Sequence, residues 1–265
     1  MRVETGATAP IIPEFPAAAF GLRVHAAGLD FGGAPLFEAL DLELDAGSWT
    51  CLLGPSGVGK TRLLRLIAGL IEPWPGSRIA CSDGGAVAGR IAYMAQQDLL
   101  LPWLSALDNV LLGARLRRLR IDSAMRERAS WLLARVGLAD KTAALPAQLS
   151  GGQRQRVALA RTLFEARPLV LMDEPFSALD AITRHQLQAL AAELLRGATV
   201  LQVTHDPWEA LRLANRLYVM AGAPARLAES MMLPGIPPRD VGAAGLAARH
   251  AELLALLAGG LREAA

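Results

Sequence analysis

Leu52-Leu53-Gly54-Pro55-Ser56-Gly57-Val58-Gly59-Lys60-Thr61 decides how this chain is read, because it follows a short apolar run and leads into a helical pattern. Glycines at 54, 57 and 59 let the backbone turn tightly and aim successive N–H groups inward, where a polyphosphate can lie against the positive end of the next helix. In the spacing G-x-x-x-x-G-K-T, Lys60 reaches the β- and γ-phosphates and the Thr61 hydroxyl can ligate Mg²⁺. Nucleotide binding is the starting expectation.

Size and composition bound the rest. A chain of 265 residues, 52% apolar, buries a substantial core in one domain and leaves room for an inserted subdomain. The net charge is +2, and the short basic cluster at 115–120 reads as a solvated helix face, so no nucleic-acid track is expected. No apolar run approaches the ~20 residues that cross a bilayer, and any membrane role has to come through a partner. The first 19 residues, rich in Pro and Ala, read as a loose tail and lack the design of a secretory signal. Cys51 and Cys81 have no metal-ligand spacing and read as unpaired thiols in a reducing compartment, which points to the cytoplasm.

Ahead of the glycine-rich loop, residues 22–26 form a short mixed run, and Leu40-Asp41-Leu42-Glu43-Leu44-Asp45 alternates apolar and acidic residues as a half-buried strand does. Between them, Leu29-Asp30-Phe31-Gly32-Gly33 places an aromatic beside two glycines: Phe31 either stacks on an adenine or packs under a hairpin. Trp49 to Leu53 reads as a fully buried strand feeding the loop.

After the loop, Leu63, Leu66, Ile67 and Leu70 share a helical face in a helix that stops before Pro73. Residues 74–88 suit short antiparallel strands and turns, 91–95 a strand ending at Gln96, and 98–145 a helical layer in which Met125, Ala129, Leu132, Leu133 and Val136 mark one amphipathic helix. Leu149-Ser150-Gly151-Gly152-Gln153 then opens a helix carrying Val157, Ala160, Leu163 and Phe164; it is either a second anion site or an ordinary N-cap.

Leu169 to Glu174 is an apolar run ending in two carboxylates. Asp173, at the tip of a buried strand, suits a direct or indirect Mg²⁺ ligand, and Glu174 can orient and partly deprotonate an attacking water. Asp180 reads as the N-cap of the following helix, with Leu187, Leu190 and Leu194 on one face. His205 ends the next strand, 200–204; Asp206, Pro207 and Glu209 supply cap, first-turn proline and N3 acid of the helix beyond, leaving His205 to face the site. A last strand over 217–220 and a terminal helix over 242–261 close the chain.

The phosphate loop, Gln96, Leu149 to Gln153, Asp173-Glu174, Ser177 to Asp180 and His205 occur in the order found in ATP-binding cassette (ABC) ATPases, which this chain resembles over residues 22–220. Gln96 followed by Leu100-Leu101-Pro102-Trp103, and the stretch from Asp173 to Arg184, look most like the ATPase subunits of nitrate, sulfonate and taurine-type importers; relatives serving uptake of a pyrimidine thiamine precursor share them.

The resemblance implies an α/β P-loop NTPase (RecA-like) core with an antiparallel β subdomain and an inserted helical subdomain at about 98–160. The expected division is a tail at 1–19, an ATPase domain at 20–235 and a helical extension at 236–265. It further implies a head-to-tail homodimer, ATP and Mg²⁺, and a membrane permease with a solute-binding protein, at the cytoplasmic face of the inner membrane. ATP held by Gly54, Pro55, Ser56, Gly57, Val58, Gly59, Lys60, Thr61 and Arg62 of one copy touches Ser150 and Gly152 of the other. Within the site Phe31 stacks on adenine, Gln96 senses Mg²⁺ and water, Glu174 acts on that water, His205 contacts the γ-phosphate, and Asp180 lies in a loop communicating between sites. The helical layer would receive a coupling helix of the permease.

Two departures stand out: Arg62 replaces a second hydroxyl that commonly contacts the α-phosphate, and residues 77–89 match the usual strand pattern poorly. The rival readings are a soluble ABC ATPase acting on DNA or ribosomes, against which the absence of a long heptad segment counts, and the ATPase of an export system.

Overall fold

The computed structural model describes residues 18–263 apart from 229, 241 and 244, with side chains as far as 258; residues 1–17 of the expected tail lie outside them. In chain order come β1 (Leu22–Phe31), β2 (Ala34–Leu44), β3 (Trp49–Leu53), α1 (Lys60–Ile67), β4 (Arg78–Cys81) and β5 (Ile91–Met94). A helical run follows, with α2 (Ala106–Val110), α3 (Leu112–Leu116), α4 (Ser123–Arg135) and α5 (Gly151–Phe164). Then come β6 (Leu169–Asp173), α6 (Ala181–Leu194), β7 (Thr199–Val203), α7 (Pro207–Leu213), β8 (Arg216–Ala221), β9 (Arg226–Leu227), β10 (Met231–Met232) and α8 (Leu246–Glu263).

β2, β1 and β4 form an antiparallel sheet in that order. β1 and β2 run further toward each other than their alternation suggests, because register shifts and the left-handed Ala26 and Ala39 break the period-two pattern without ending the pairing. The main sheet has the order β10-β8-β3-β7-β6-β5, parallel from β8 to β5.

Its strands are buried on both faces, and alternation sorts them between two cores. Leu52, Leu169, Leu171, Leu201, Val203, Tyr218 and Met220 face α1 and the antiparallel sheet. Cys51, Leu53, Val170, Met172, Val200, Leu217 and Val219 face the helices. Four of the loops that carry candidate site residues leave the carboxyl ends of β3, β5, β6 and β7, the edge where open α/β sheets bind ligands.

Helix α1 buries Leu63, Leu64, Leu66 and Ile67, but Leu70 is 60% exposed and not on the apolar face. The helix ends sooner than its pattern implies. Gly69 takes φ +71°, its N–H donates to Leu66 O, and Leu70 N donates to Arg65 O, which turns Leu70 out to solvent.

Glu209 stands at N3 of α7 as expected, but its side chain serves the core instead of the helix start. Asp206 accepts from Trp208 N and Glu209 N, as the cap should, whereas the Glu209 side chain turns into the core and accepts from Gln188 Nε2 at 3.0 Å and from Gln202. Burial pushes its carboxyl up to about 7; the Thr204 and Gln188 side chains oppose the rise, Asp206 adds to it, and Arg184 opposes it.

A raised carboxyl favours the protonated form in the folded chain, so this contribution to stability is full below about pH 4.5 and is lost as the pH rises through about 7. Its size is about 3 kcal/mol across that window. Glu209→Gln is expected to flatten that part of the pH dependence; urea midpoints of both proteins between pH 5 and 8 that change in parallel would contradict the assignment.

Candidate functional site

The loop from Gly54 to Gly59 wraps the start of α1. Gly54 has no alternative: φ is +159°, and a Cβ there would stand 2.3 Å from the Met220 carbonyl of β8. Lys60 is buried, and its Nζ donates to Gly54 O at 2.7 Å and Pro55 O at 2.8 Å, so the ammonium closes the loop on itself. Burial pulls that ammonium below its ordinary range, and the Glu174 and Asp173 carboxylates push it back.

Opposite the loop, β6 delivers Asp173 and Glu174. Asp173 is buried, and its Oδ2 has no hydrogen-bond partner among the described residues. Burial raises its carboxyl, the Thr61 side chain opposes the rise and Glu174 adds to it. A buried carboxylate oxygen with nothing to accept, beside the Thr61 hydroxyl, is a donor set that fits a hard divalent cation.

Glu174 takes a left-handed backbone, φ +49°, which costs a non-glycine residue on the order of 1–2 kcal/mol. It is held there by Glu174 N donating to Val203 O, and by Ser177 N and Oγ donating to Glu174 O. The strain aims the side chain: Gln96 Nε2 donates to Oε2 at 3.3 Å, and His205 Nδ1 lies 3.2 Å from Oε1. One carboxylate thus gathers the side chains that end β5 and β7, and it is well placed to take a proton from water.

Phe31 stands at the tip of the β1–β2 hairpin, 58% exposed, which excludes the packing alternative. The Arg62 guanidinium lies 4.0 Å from its ring centroid. At an exposed site that contact is worth about 0.5–1 kcal/mol, less than the roughly 1–3 kcal/mol of a base–aromatic stack. Phe31, Leu36, Ser56, Gly57, Gly59, Lys60, Thr61, Arg62, Gln96 and Glu174 line one open cleft of about 290 Å³.

The remaining motif lies apart. Leu149 to Gln153 do not line that cleft. Ser150 caps α5 in a closed box, its Oγ accepting from Gln153 N and Gln153 Oε1 accepting from Ser150 N, which leaves Gly151 and Gly152 at the helix mouth. A Cβ at Gly152 would lie 3.3 Å from Ala178 O, so the segment is seated against the loop that ends at Asp180. Asp180 itself caps α6 through Thr183 N at 2.9 Å.

Residues 37–177 match the model of the ABC transporter family. The chain belongs to that family. It is 45% identical over 249 residues to an "Uncharacterized ABC transporter ATP-binding protein" of Haemophilus influenzae, spanning 90% of this chain and 99% of that one. It is 44% identical over 237 residues to "Aliphatic sulfonates import ATP-binding protein SsuB 1" of Rhodococcus jostii, spanning 88% and 92%. Among solved structures it is similar to "Dimeric structure of a post-hydrolysis state of the ATP-binding cassette MJ0796 bound to ADP and Pi", with TM-score 0.71, 28% identity and coverage of 81% and 99%.

The fold is accordingly that of an ABC cassette, a P-loop ATPase core with an antiparallel β layer and a helical layer, and the chain is an ABC ATP-binding subunit whose ATP hydrolysis is coupled to transport. Among the described residues no helix is long and apolar enough to cross a membrane.

Residues the motifs did not signal anchor the segment that follows Gln96. Buried Asn109 accepts from Leu101 N and donates to Leu101 O, Leu104 O and Ser105 O. Arg161 donates to Leu99 O and Asp98 O, and Arg154 pairs with Asp98. The segment after Gln96 is therefore bolted to α5, the helix that Ser150 caps. An Asn within an apolar helical pattern was the available signal.

Proposed function

We propose that this chain is the ATPase of an importer for an aliphatic sulfonate or a related small solute, working as a head-to-tail homodimer beneath a separate permease served by a solute-binding protein, on the cytoplasmic face of the inner membrane. The observation that carries the ATPase chemistry is Glu174 within reach of both Gln96 and His205 at the mouth of the phosphate-loop cleft. Relatives at 40–44% identity named for aliphatic sulfonate import support the solute class.

In this reading the N–H groups from Gly54 through Thr61 and the Lys60 ammonium bind the polyphosphate, and adenine stacks on Phe31. Because the stack outweighs the cation–π contact, adenine displaces Arg62 from the ring. Glu174 accepts the proton of the attacking water, Gln96 orients that water, and His205 contacts the γ-phosphate. Thr61, Asp173 and Gln96 would hold Mg²⁺, which when bound neutralises charge on the transferring phosphoryl group. Ser150 and Gly152 serve the ATP of the second copy, Asp180 faces between the two sites, and the exposed Leu99 and Trp103 of the helical layer meet the permease.

A strain lacking this chain is expected to lose growth on aliphatic sulfonates as sole sulfur source, and the tagged chain to co-purify with a membrane permease. Normal growth on sulfonates with loss on nitrate, or on a pyrimidine precursor of thiamine, would move the solute class. Recovery with ribosomes or DNA and no permease would overturn the transport reading. Phe31→Ala is expected to weaken ATP binding by about 1–3 kcal/mol, with Phe31→Tyr nearly neutral; unchanged affinity in an ATP titration of the alanine variant would remove Phe31 from the base site.

A further inference from the structure

Two loops border the cleft without a hydrogen bond between their backbones: one ends at Asp180 and starts α6, the other carries His205 and starts α7. Two side chains span them: Glu174 reaches His205 at the base of the loops, and Arg184 bridges them further along. Arg184, in the first turns of α6, donates from Nη2 to Leu179 O at 3.0 Å, one residue before Asp180. Its Nη1 lies 3.5 Å from Asp206 Oδ2, one residue after His205.

We propose that Arg184 is a positioning residue that ties the Asp180 loop to the His205 loop, so that displacement of the first by a second copy of the chain is passed to the second. The proposal rests on the roles assigned above to Asp180 and His205.

Three features set this link apart from an ordinary surface pair. The Asp206 carboxylate is shared: Oδ2 faces Arg184, while Oδ1 accepts from Trp208 N and Glu209 N and so fixes the start of α7. Asp206 N donates to Thr204 Oγ1, which fixes the backbone on either side of His205. Movement of the carboxylate must therefore carry the His205 backbone with it.

Arg184 Nε is also buried with no partner among the described residues, and the Nη1 contact is at the outer limit of a hydrogen bond. The guanidinium thus holds unspent donor capacity between the two loops, and a small approach of one toward the other would complete the pair. Finally, the Asp180 loop is backed by α5 through the close approach of Gly152 to Ala178 O, so it cannot retreat from that push. A lysine, with a compact ammonium in place of a planar fork, is not pre-organised to hold the Leu179 carbonyl and the Asp206 carboxylate together.

The test is steady-state ATPase of the full chain carrying Arg184→Met, Arg184→Lys and Asp206→Asn, singly and with Met and Asn combined. Asparagine keeps an oxygen to cap α7 while losing the charge that faces Arg184, so its effect does not depend on unfolding the helix. Expected are a fall in kcat of about 10-fold for Arg184→Met and for Asp206→Asn, ATP affinity within about 3-fold of the parent, little rescue by lysine, and a double variant no slower than either single.

Losses that multiply in the double variant, a kcat within about 2-fold of the parent in both singles, or loss of affinity and kcat together in proportion to lost folded protein would overturn it. His205→Ala separates the two levels: if that variant is fully active, the site assignment fails, whereas an inactive His205→Ala beside a fully active Arg184→Met fails the Arg184 proposal alone.

Discussion

Glu174→Gln is expected to bind ATP with Mg²⁺ and to hydrolyse it about 10²–10⁴-fold more slowly, the usual worth of a general base. The substitution is clean here. Glutamine offers the same reach to Gln96 and His205, and it inherits the same left-handed backbone at no new cost, since neither residue is glycine. What disappears is the negative charge and the site that accepts the water's proton.

With hydrolysis blocked, a closed dimer loses its exit, so ATP and Mg²⁺ should shift this variant from monomer to dimer in size-exclusion chromatography. A further Ser150→Arg should prevent the shift by obstructing the contact between copies. Hydrolysis at the normal rate would remove Glu174 from the base role; an inactive variant that stays monomeric with ATP bound would remove the two-chain site.

Lys60→Ala should lose ATP binding and hydrolysis together. Removing one partner of a desolvated charge pair costs about 2–5 kcal/mol, that is, an affinity loss of roughly 30-fold to several thousand-fold. The side chain is buried and bonded to Gly54 O and Pro55 O before any phosphate arrives, so the alanine variant also loosens the loop and leaves those two carbonyls to water. A modest fall in thermal midpoint with an unchanged circular dichroism spectrum is therefore expected beside the binding loss. Retained affinity in an equilibrium titration would sink the assignment.

The parts of the site legible in the sequence are those set by one element at a time. A glycine-spaced loop after a buried strand, a carboxylate pair at the tip of an apolar run and a histidine just past another all sit at strand ends, and parallel packing brings those ends to one edge. What the sequence could not supply are choices between partners. Asp206 and Glu209 both fit the first turn of α7, but only Asp206 serves the cap, because the core offers Glu209 the amides of Gln188 and Gln202.

Leu70 fits the helical period, and Gly69 removes it from the helix before the period can act. Arg62 differs from a hydroxyl by reach as much as by charge, and only the hairpin's position over α1 puts Phe31 beneath it. Asn109 carries no motif at all; its meaning lies in the turn of backbone it happens to meet.

The separation of Leu149 to Gln153 from the cleft sets how activity should scale. If each turnover needs the loop of one copy and the Ser150 helix of another, the free chain hydrolyses ATP in a step that is second order in protein, and halving a dilute sample should quarter its rate. Mounted in pairs on a permease, the same two surfaces meet at an effective concentration in the millimolar range, and the reaction becomes first order in assembled complex. Substitutions that weaken only the encounter would then silence the isolated chain in dilute assays while leaving the assembled transporter nearly at full speed.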